Sequence, residues 1–583
     1  MIHLIKNINK KDYILLFIIV ILVFFQIKLD LSLPDYMSDI TMLVQTPNSN
    51  INDIYSAAFN MIIFALTSLI LSIIVAIISA KIASNFSFIT RSKIFTKVMS
   101  FSMKEINEFQ TSSLITRTTN DIVQVQMFLV MGLQMLIKAP LTAIYAIYKI
   151  YSKNIYWTSI TFVALILLFI VVIICSSIVL PRFKRMQKLI DNINRITREH
   201  LDGINVIRAY NAEHYQNNKF EKANNELTNT NLIAFNTLSF LQPSIQLVGN
   251  TLTLGIYIVG AILINDAIGI NKIELFSDMV VFSSYAMQIL MSFMMLVFVF
   301  IMMPRATVAA SRINEVLDIN NSISIGNIKD ITDIGEIEFI NVSFKYPNAQ
   351  DYVLKDISFK VKHNETVALI GSTGSGKSTI INLIPRFYDT TKGQILINGI
   401  NVKEYNKDTL NKLIGYISQK AILFKGDIKS NIIFGDNNTI INNNNEFDKS
   451  IDIAQAKDFI NNLEDKHNSY IAQGGKNLSG GQKQRISIAR ALYRNPNILI
   501  FDDSFSALDY NTDKKLRKAL NESYKSKTKI IVGQRIGTIK DADKIIVIDD
   551  GKIVGQGKHN ELLETCDIYK QIALSQLSIE ELI

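Results

Sequence analysis

The sequence predicts two domains of different class: a six-helix α-helical transmembrane domain, followed by an α/β domain built on a phosphate-binding loop. Three observations lead there. Long apolar runs are confined to the part of the chain before residue 304, strand-like and helix-like patterns alternate from Gly335 onward, and Gly371–Thr379 reads GSTGSGKST. At 583 residues, with 49% apolar residues and a positive mean hydropathy, the chain is too long for one core and too apolar to be wholly soluble.

The apolar runs fall at 13–33, 57–80, 128–148, 155–180, 244–268 and 276–303, each close to the ~20 residues that cross a hydrocarbon core as a helix. The first follows Lys6, Lys10 and Lys11 but no small-residue cleavage pattern follows it, so it reads as a retained anchor rather than a leader. Orientation comes from the flanking charges, because cytoplasmic segments hold Lys and Arg. Pro34–Tyr55 carries Asp35, Asp39 and Asp53 without a cation, whereas 81–127 and 181–231 are rich in basic residues. The first is therefore outside and the others inside, with the N-terminus cytoplasmic. Lys149 and Lys153 run against this rule, beside Tyr156 and Trp157, which fit an interfacial aromatic belt. Positive-inside loops account for the net charge of +9 without a nucleic-acid partner. Cys175 in a span and Cys566 near the C-terminus are not placed to form a disulfide.

The long loops 81–127 and 181–231 are periodic and read as helices continuing past the bilayer. From Gly335, IEFINVSFKY ends at Tyr346, TVALIG precedes the P-loop, and ILIFDD is a buried strand. The Asn-rich stretch 436–450 reads as a surface loop.

GSTGSGKST fits the P-loop pattern. Gly371, Gly374 and Gly376 let the backbone turn so that the amides of Ser372, Thr373 and Ser375 and their neighbours can surround phosphate, while Lys377 adds charge and Ser378 a magnesium ligand. A second loop, LSGGQKQR at Leu478–Arg485, opens a helical pattern, which places the Ser479 hydroxyl and the amides of Gly480, Gly481 and Gln482 at a positive helix N-terminus.

The two loops together, followed by ILIFDDSFSALD, resemble ATP-binding cassette (ABC) proteins, and over essentially the whole chain the resemblance is to exporter half-transporters. It implies a transmembrane domain over 1–319, a linker over 320–333 and a nucleotide-binding domain over 334–583, with ATP and Mg2+ as cofactors. SSLITRTTNDIVQVQ (112–126) and EHLDGINVIRAYNAEHY (199–215) resemble the family's intracellular loops, whose short transverse helices dock on nucleotide-binding domains; packing of amphipathic helices on one another is the alternative. ATVAASRINEVLDI (306–319) matches the connecting helix. By resemblance, Lys377 to Thr379 grip phosphate, Tyr346 stacks on adenine, Asp502 is the Walker B carboxylate, Gln419 contacts magnesium, and Asp509 belongs to the loop crossing to the partner. Read without the resemblance, Tyr346 is equally a packing tyrosine.

Two positions depart from the family pattern. Asp503 stands where Glu follows the Walker B residue, and Gln534 where a switch histidine is expected. An aspartate is one methylene shorter, and misplacement of about 1 Å can cost about a hundredfold in rate; glutamine does not titrate as histidine does. The pattern resembles the degenerate-site subunit of heterodimeric bacterial exporters: its own site binds ATP and hydrolyses it poorly, while Ser479–Gln482 complete the partner's competent site. The alternative is a homodimer with two slow sites.

The implied activity is ATP-driven export of hydrophobic or amphipathic compounds, of multidrug type, from a multi-pass protein of the plasma membrane. A homodimeric lipid or peptide exporter and an ATP-gated channel or regulator are the rivals. Met287, Met291, Met294, Met295, Met302 and Met303 fit either an adaptable wall for apolar cargo or lipid and core packing. Gln134, Lys138, Gln246, Asn250 and Gln288 are polar groups in or near spans, where such groups line pathways or join helices. Lys138, just before Pro140, is also placed to snorkel at a membrane edge.

Overall fold

A computed structural model of the chain describes residues 10–46, 49–151, 155–268, 270–324, 326–329, 334–347, 349–435 and 444–577. Expectations resting on Lys6, Lys153, linker positions 330–333 and Asn-rich positions 436–443 lie outside the described residues. The chain divides into two compact units, Met1–Met99 with Ser112–Ile319, and Ser100–Thr111 with Asn320–Ile583.

Among the described residues of the first unit six helical stretches are long and apolar enough to cross a membrane: Lys11–Gln45, Ile51–Met99, Thr111–Tyr151, Ile155–Asp202, Glu213–Asp266 and Asn271–Asp318. These are the six spans expected from the apolar runs. At ~1.5 Å per residue the Ile51–Met99 helix is roughly 70 Å long, more than twice a ~30 Å hydrocarbon core, so it extends well into water. The first span is interrupted: one helix ends at Asp30 and another starts at Leu33, with Pro34 in its first turn, where a missing N–H costs nothing. The buried core gathers Ile19, Val23, Trp157, Phe282, Tyr285 and Ile289, while Phe17, Phe59, Ile62 and Phe162 are exposed as lipid-facing side chains are.

Two ion pairs join helices within the spans. Asp30 accepts from the Ser68 hydroxyl and lies 3.1 Å from the Lys138 ammonium, so Lys138 joins two helices rather than snorkelling. Lys149, the exception to the charge rule, sits 2.8 Å from one oxygen of Asp35, whose other oxygen accepts from Tyr285 at 2.6 Å. An adjacent carboxylate removes the net charge that the rule penalises. Gln246 and Asn250 are exposed and Gln134 and Gln288 half-buried; of the six methionines none is buried.

The segment 112–126, expected to hold a transverse helix, is instead continuous helix with one π-turn at Arg117–Asp121, leading into Ile122–Tyr151. The Arg117 guanidinium is 2.7 Å from the carbonyl of Arg312 and 2.9 Å from Glu315, which anchors this turn to the connecting helix. The isolated short helix of this loop is Met103–Phe109, which starts with a Ser102–Glu105 capping box. In 199–215 a short helix does occur, Ile204–Ala209, with Val206 and Tyr210 exposed.

Among its described residues the second unit has three sheets. β1 (Ile337–Phe344), β2 (Leu354–Val361), β4 (Lys392–Ile397) and β5 (Ile400–Asn401) form an antiparallel sheet ordered β2-β1-β4-β5. β3 (Thr366–Gly371), β6 (Ile414–Ile417), β9 (Ile498–Asp502), β10 (Thr528–Val532), β11 (Lys544–Asp549) and β12 (Lys552–Gly557) form the main sheet, ordered β12-β11-β3-β10-β9-β6. It is parallel except at the β12 edge. β7 (Gly426–Asp427) and β8 (Tyr470–Ile471) make a short ribbon. β9 and β10 are buried along their whole length, as central strands covered on both faces must be. The parallel order brings the C-terminal ends of β3, β9 and β10 side by side, where α/β folds bind ligands. Positions 444–450 belong to the Asn444–Ile453 helix rather than to a loop, because Phe447 and Ile451, four apart, both bury in the core.

Candidate functional site

The P-loop leaves the end of β3 and enters the Lys377–Leu383 helix. Gly374 and Gly376 have φ of +86° and +102°, and a Cβ on Gly376 would stand 2.7 Å from Leu354 Cδ2. Only glycine satisfies both conditions at 376. The Lys377 side chain, 8% exposed, folds over its own loop: its ammonium donates to the carbonyls of Gly371 (2.9 Å) and Ser372 (2.7 Å) and to Ser375 Oγ (3.4 Å). Burial lowers its pKa, against the opposing pull of Asp503 and Asp502. A phosphate entering the loop would meet this ammonium and the loop amides together.

β9 supplies Asp502 at its last position and Asp503 one residue further. Ser378 Oγ donates to Asp502 Oδ1 at 3.1 Å, and Tyr416 Oη is 3.2 Å from Asp502 Oδ2 and 3.0 Å from Asn382 Oδ1. Desolvation raises the pKa of Asp502, and hydrogen bonds from Ser378 and Tyr416 partly offset it. The Ser378 hydroxyl and the Asp502 carboxylate are hard oxygen donors within reach of one point, a set that fits magnesium. Asp503 is held at φ +46°, its N–H on the carbonyl of Val532 at 3.1 Å. One oxygen, Oδ2, accepts from both Gln419 Nε2 and Gln534 Nε2, each at 3.2 Å. Its pKa is raised by burial, and by the neighbouring Asp502, against the Gln419 bond.

Tyr346 follows β1, and its hydroxyl is 3.0 Å from Thr379 Oγ1. Its ring is edge-on to Phe344 at 5.0 Å and to Tyr388 at 5.3 Å, and the Tyr388 hydroxyl accepts from Asn107 Nδ2 at 3.1 Å. Glu105 of the same short helix is buried and accepts from the Ser322 amide at 3.1 Å.

The second glycine loop is built as a capping box. Ser479 Oγ accepts from the Gln482 amide at 3.3 Å, and Gln482 Oε1 from the Ser479 amide at 2.9 Å, at the head of the Gly480–Tyr493 helix. A Cβ on Gly480 would meet nothing within 4 Å, so this loop is open to solvent in the single chain. Gln484 Nε2 donates to the Ser418 carbonyl at 3.2 Å, tying the helix to the residue before Gln419. Asp509 caps the Tyr510–Ser523 helix through Thr512 N at 3.0 Å.

The structure therefore gathers Gly371–Thr379, Gln419, Asp502, Asp503, Gln534 and Tyr346 in one place. Among the described residues no hydrogen bond joins Ser479, Gly480, Gly481 or Gln482 to that cluster. Sequence reasoning missed Tyr416, Asn382, Tyr388 and Asn107. Tyr416 enters through the register that sets it beside Ile500, two residues before Asp502, and nothing local in GYISQK announces it.

Fold and site define a membrane-embedded protein with an ATP-binding α/β domain in the same polypeptide. Residues 354–506 match the family described as ABC transporter, and residues 16–303 match the ABC transporter transmembrane region. An uncharacterized ABC transporter ATP-binding protein of Mycobacterium bovis is 37% identical over 489 residues, 83% of each chain. The ATP-dependent lipid A-core flippase of Pseudomonas syringae pv. tomato is 30% identical over 493 residues, 85% of this chain and 81% of the flippase. The structure of a bacterial Atm1-family ABC exporter with ATP bound superposes with a TM-score of 0.82 over 97% of this chain and 98% of that one, at 21% identity, a likeness of fold. The chain belongs to the ABC transporter family and has the fold of an exporter half, with six candidate spans and an ABC ATPase domain.

Proposed function

We propose that this chain is the degenerate-site half of a heterodimeric ABC exporter in the plasma membrane, moving hydrophobic or amphipathic compounds outward. In this reading residues 1–319 span the membrane, 320–333 link, and 334–583 bind nucleotide on the cytoplasmic side with the N-terminus. Lys377 and the amides from Gly371 to Thr379 hold the ATP phosphates, and Tyr346 turns from Thr379 to stack on adenine. Ser378, Asp502 and Gln419 would hold magnesium, which would supply charge neutralisation to the phosphates.

The carrying observation is Asp503. A carboxylate that is to orient or deprotonate water must reach it, and this one is a methylene short with one oxygen already shared by Gln419 and Gln534 at 3.2 Å. ATP then binds here and persists, while the open Ser479–Gln482 loop serves the P-loop of a second, different ABC half. The decisive experiment is the subunit composition and intact mass of the complex drawn from native membranes by a tag on this chain. A second ABC half at equal stoichiometry supports the reading; this chain alone, as a dimer, rejects it.

The flippase likeness favours one other reading, a homodimeric lipid exporter with two slow sites. It predicts the opposite outcome of the same pull-down, together with lipid translocation by the purified single chain.

A further inference from the structure

A cleft of about 1060 Å³ lies in the second unit between one face of the Tyr510–Ser523 helix and the segment 537–542, floored in part by β10. Tyr510, Lys514, Arg517, Lys518, Leu520, Asn521 and Glu522 of this helix line it, with Lys525 just past the helix end. Six cations line it, Lys514, Arg517, Lys518, Lys525, Lys529 and Lys540, with the two carboxylates Glu522 and Asp541. Arg517 is already engaged, bidentate on Asp513 at 3.0 and 3.2 Å and 3.8 Å from Asp541. Among the described residues no ion pair engages the four exposed-wall lysines, 514, 518, 525 and 540.

Lys529 makes this more than a solvated basic surface. It is the charged residue of the fully buried strand TKIIV, between β3 and β9 in the middle of the main sheet, and it is 4% exposed. Its stem does not snorkel to water. The ammonium has one hydrogen-bond partner among the described residues, the neutral Asn521 Oδ1 at 3.3 Å. The nearby acid, Asp543, accepts from the Thr366 amide at 2.8 Å and acts on Lys529 through space, with no direct ion pair between them among the described residues. Burial depresses the Lys529 pKa. An ammonium with three donors that exchanges water for one amide oxygen is expensive, and an anion seated in the cleft would satisfy the two donors left over.

We propose that this cleft is a second ligand site, distinct from the P-loop, for a small multiply charged phosphate ester. With Asp513 on Arg517 and Asp543 acting on Lys529 counted beside Glu522 and Asp541, the six cations outnumber the carboxylates by two, which calls for a multivalent anion, and lysine ammoniums bind phosphate as point charges. The size and the largely apolar floor of Phe501, Phe505 and Ile531 fit an organic moiety beside the phosphates. Tyr510, 70% exposed at the rim, offers a face to stack on it.

The test uses the full chain in nanodiscs with Lys377→Ala, to silence the P-loop, and titrates inorganic pyrophosphate without magnesium by calorimetry. Saturable binding is expected, weakened about tenfold or more by Lys529→Met and by the wall reversal Lys518→Glu, and weakened by added salt. Should Lys529→Met fail to fold, Lys518→Glu and Lys514→Glu decide. Absence of saturable binding, or binding that both wall reversals leave unchanged, overturns the proposal. Repeating the titration in phosphatidic acid and phosphatidylcholine discs, the first carrying a phosphomonoester headgroup, separates sources. Competition by the anionic discs assigns the site to a lipid headgroup phosphate, and equal affinity in both assigns it to a soluble ester.

Discussion

Restoring the missing reach at position 503 is the sharpest way to challenge the degenerate-site reading. The backbone there is fixed at φ +46° with its amide on Val532, so Asp503→Glu adds length without moving the chain. The added methylene advances the carboxylate by about 1 Å, and an error of that size costs on the order of a hundredfold, or about 2.7 kcal/mol of barrier. The carboxylate must also be released from Gln419 and Gln534, whose amides share its Oδ2 at 3.2 Å. Charge-assisted hydrogen bonds of this kind are worth about 1.5–3 kcal/mol each, so Gln534→His, which removes one of them and installs a ring able to titrate, should add to the gain. The expected order is wild type, then Asp503→Glu, then the double variant, with the last raising the slow phase by about tenfold to a hundredfold. The assay is single-turnover ATP hydrolysis with the assembled complex in excess, which resolves a slow site from a fast one. If the double variant leaves both phases unchanged while ATP affinity is intact, length and titration at these positions do not limit the site, and the reasoning fails.

Tyr346→Ala should weaken ATP binding about tenfold, since stacking on a base is worth about 1–3 kcal/mol, whereas Tyr346→Phe, which loses only the Thr379 contact, should bind within about threefold of wild type; equilibrium nucleotide binding checks both. Asp30→Asn alone strands the Lys138 charge and should lower the melting temperature in detergent more than the double variant Asp30→Asn with Lys138→Met, because an unpaired ion is worse than no ion pair. Asp502 has a raised pKa, so between its unfolded and folded values the native state binds more protons than the unfolded one, and the nucleotide-free protein loses stability as pH rises through that window. Thermal melts from pH 4 to about 7 should show this slope, and Asp502→Asn should make it shallower, leaving the part that Asp503, raised by its own burial, contributes.

The parts legible in sequence were those carried by local chemistry. Apolar run length placed six spans, because a continuous apolar run of ~20 residues crosses the hydrocarbon core as a helix that satisfies its own backbone hydrogen bonds, and the glycine spacing of 371–376 marked a turn whose φ values at Gly374 and Gly376 demand glycine. Hidden from sequence was whatever depends on which chain segments meet. Lys149 looked like a violation of the charge rule until Asp35, on another helix, was found 2.8 Å away. Likewise 112–126 has the periodicity of an amphipathic helix, and periodicity cannot say whether such a helix runs on or turns aside. A separate short helix starts earlier, at Ser102, where a side chain caps the helix start and Glu105 is buried against the Ser322 amide. Asp503 shows the same limit at the site itself. Its identity warned of short reach, but only the fold shows that two glutamines from β6 and β10 termini converge on one of its oxygens. That convergence changes the chemistry: a short carboxylate that was merely free would still accept water, whereas one already holding two amides must first let go of them.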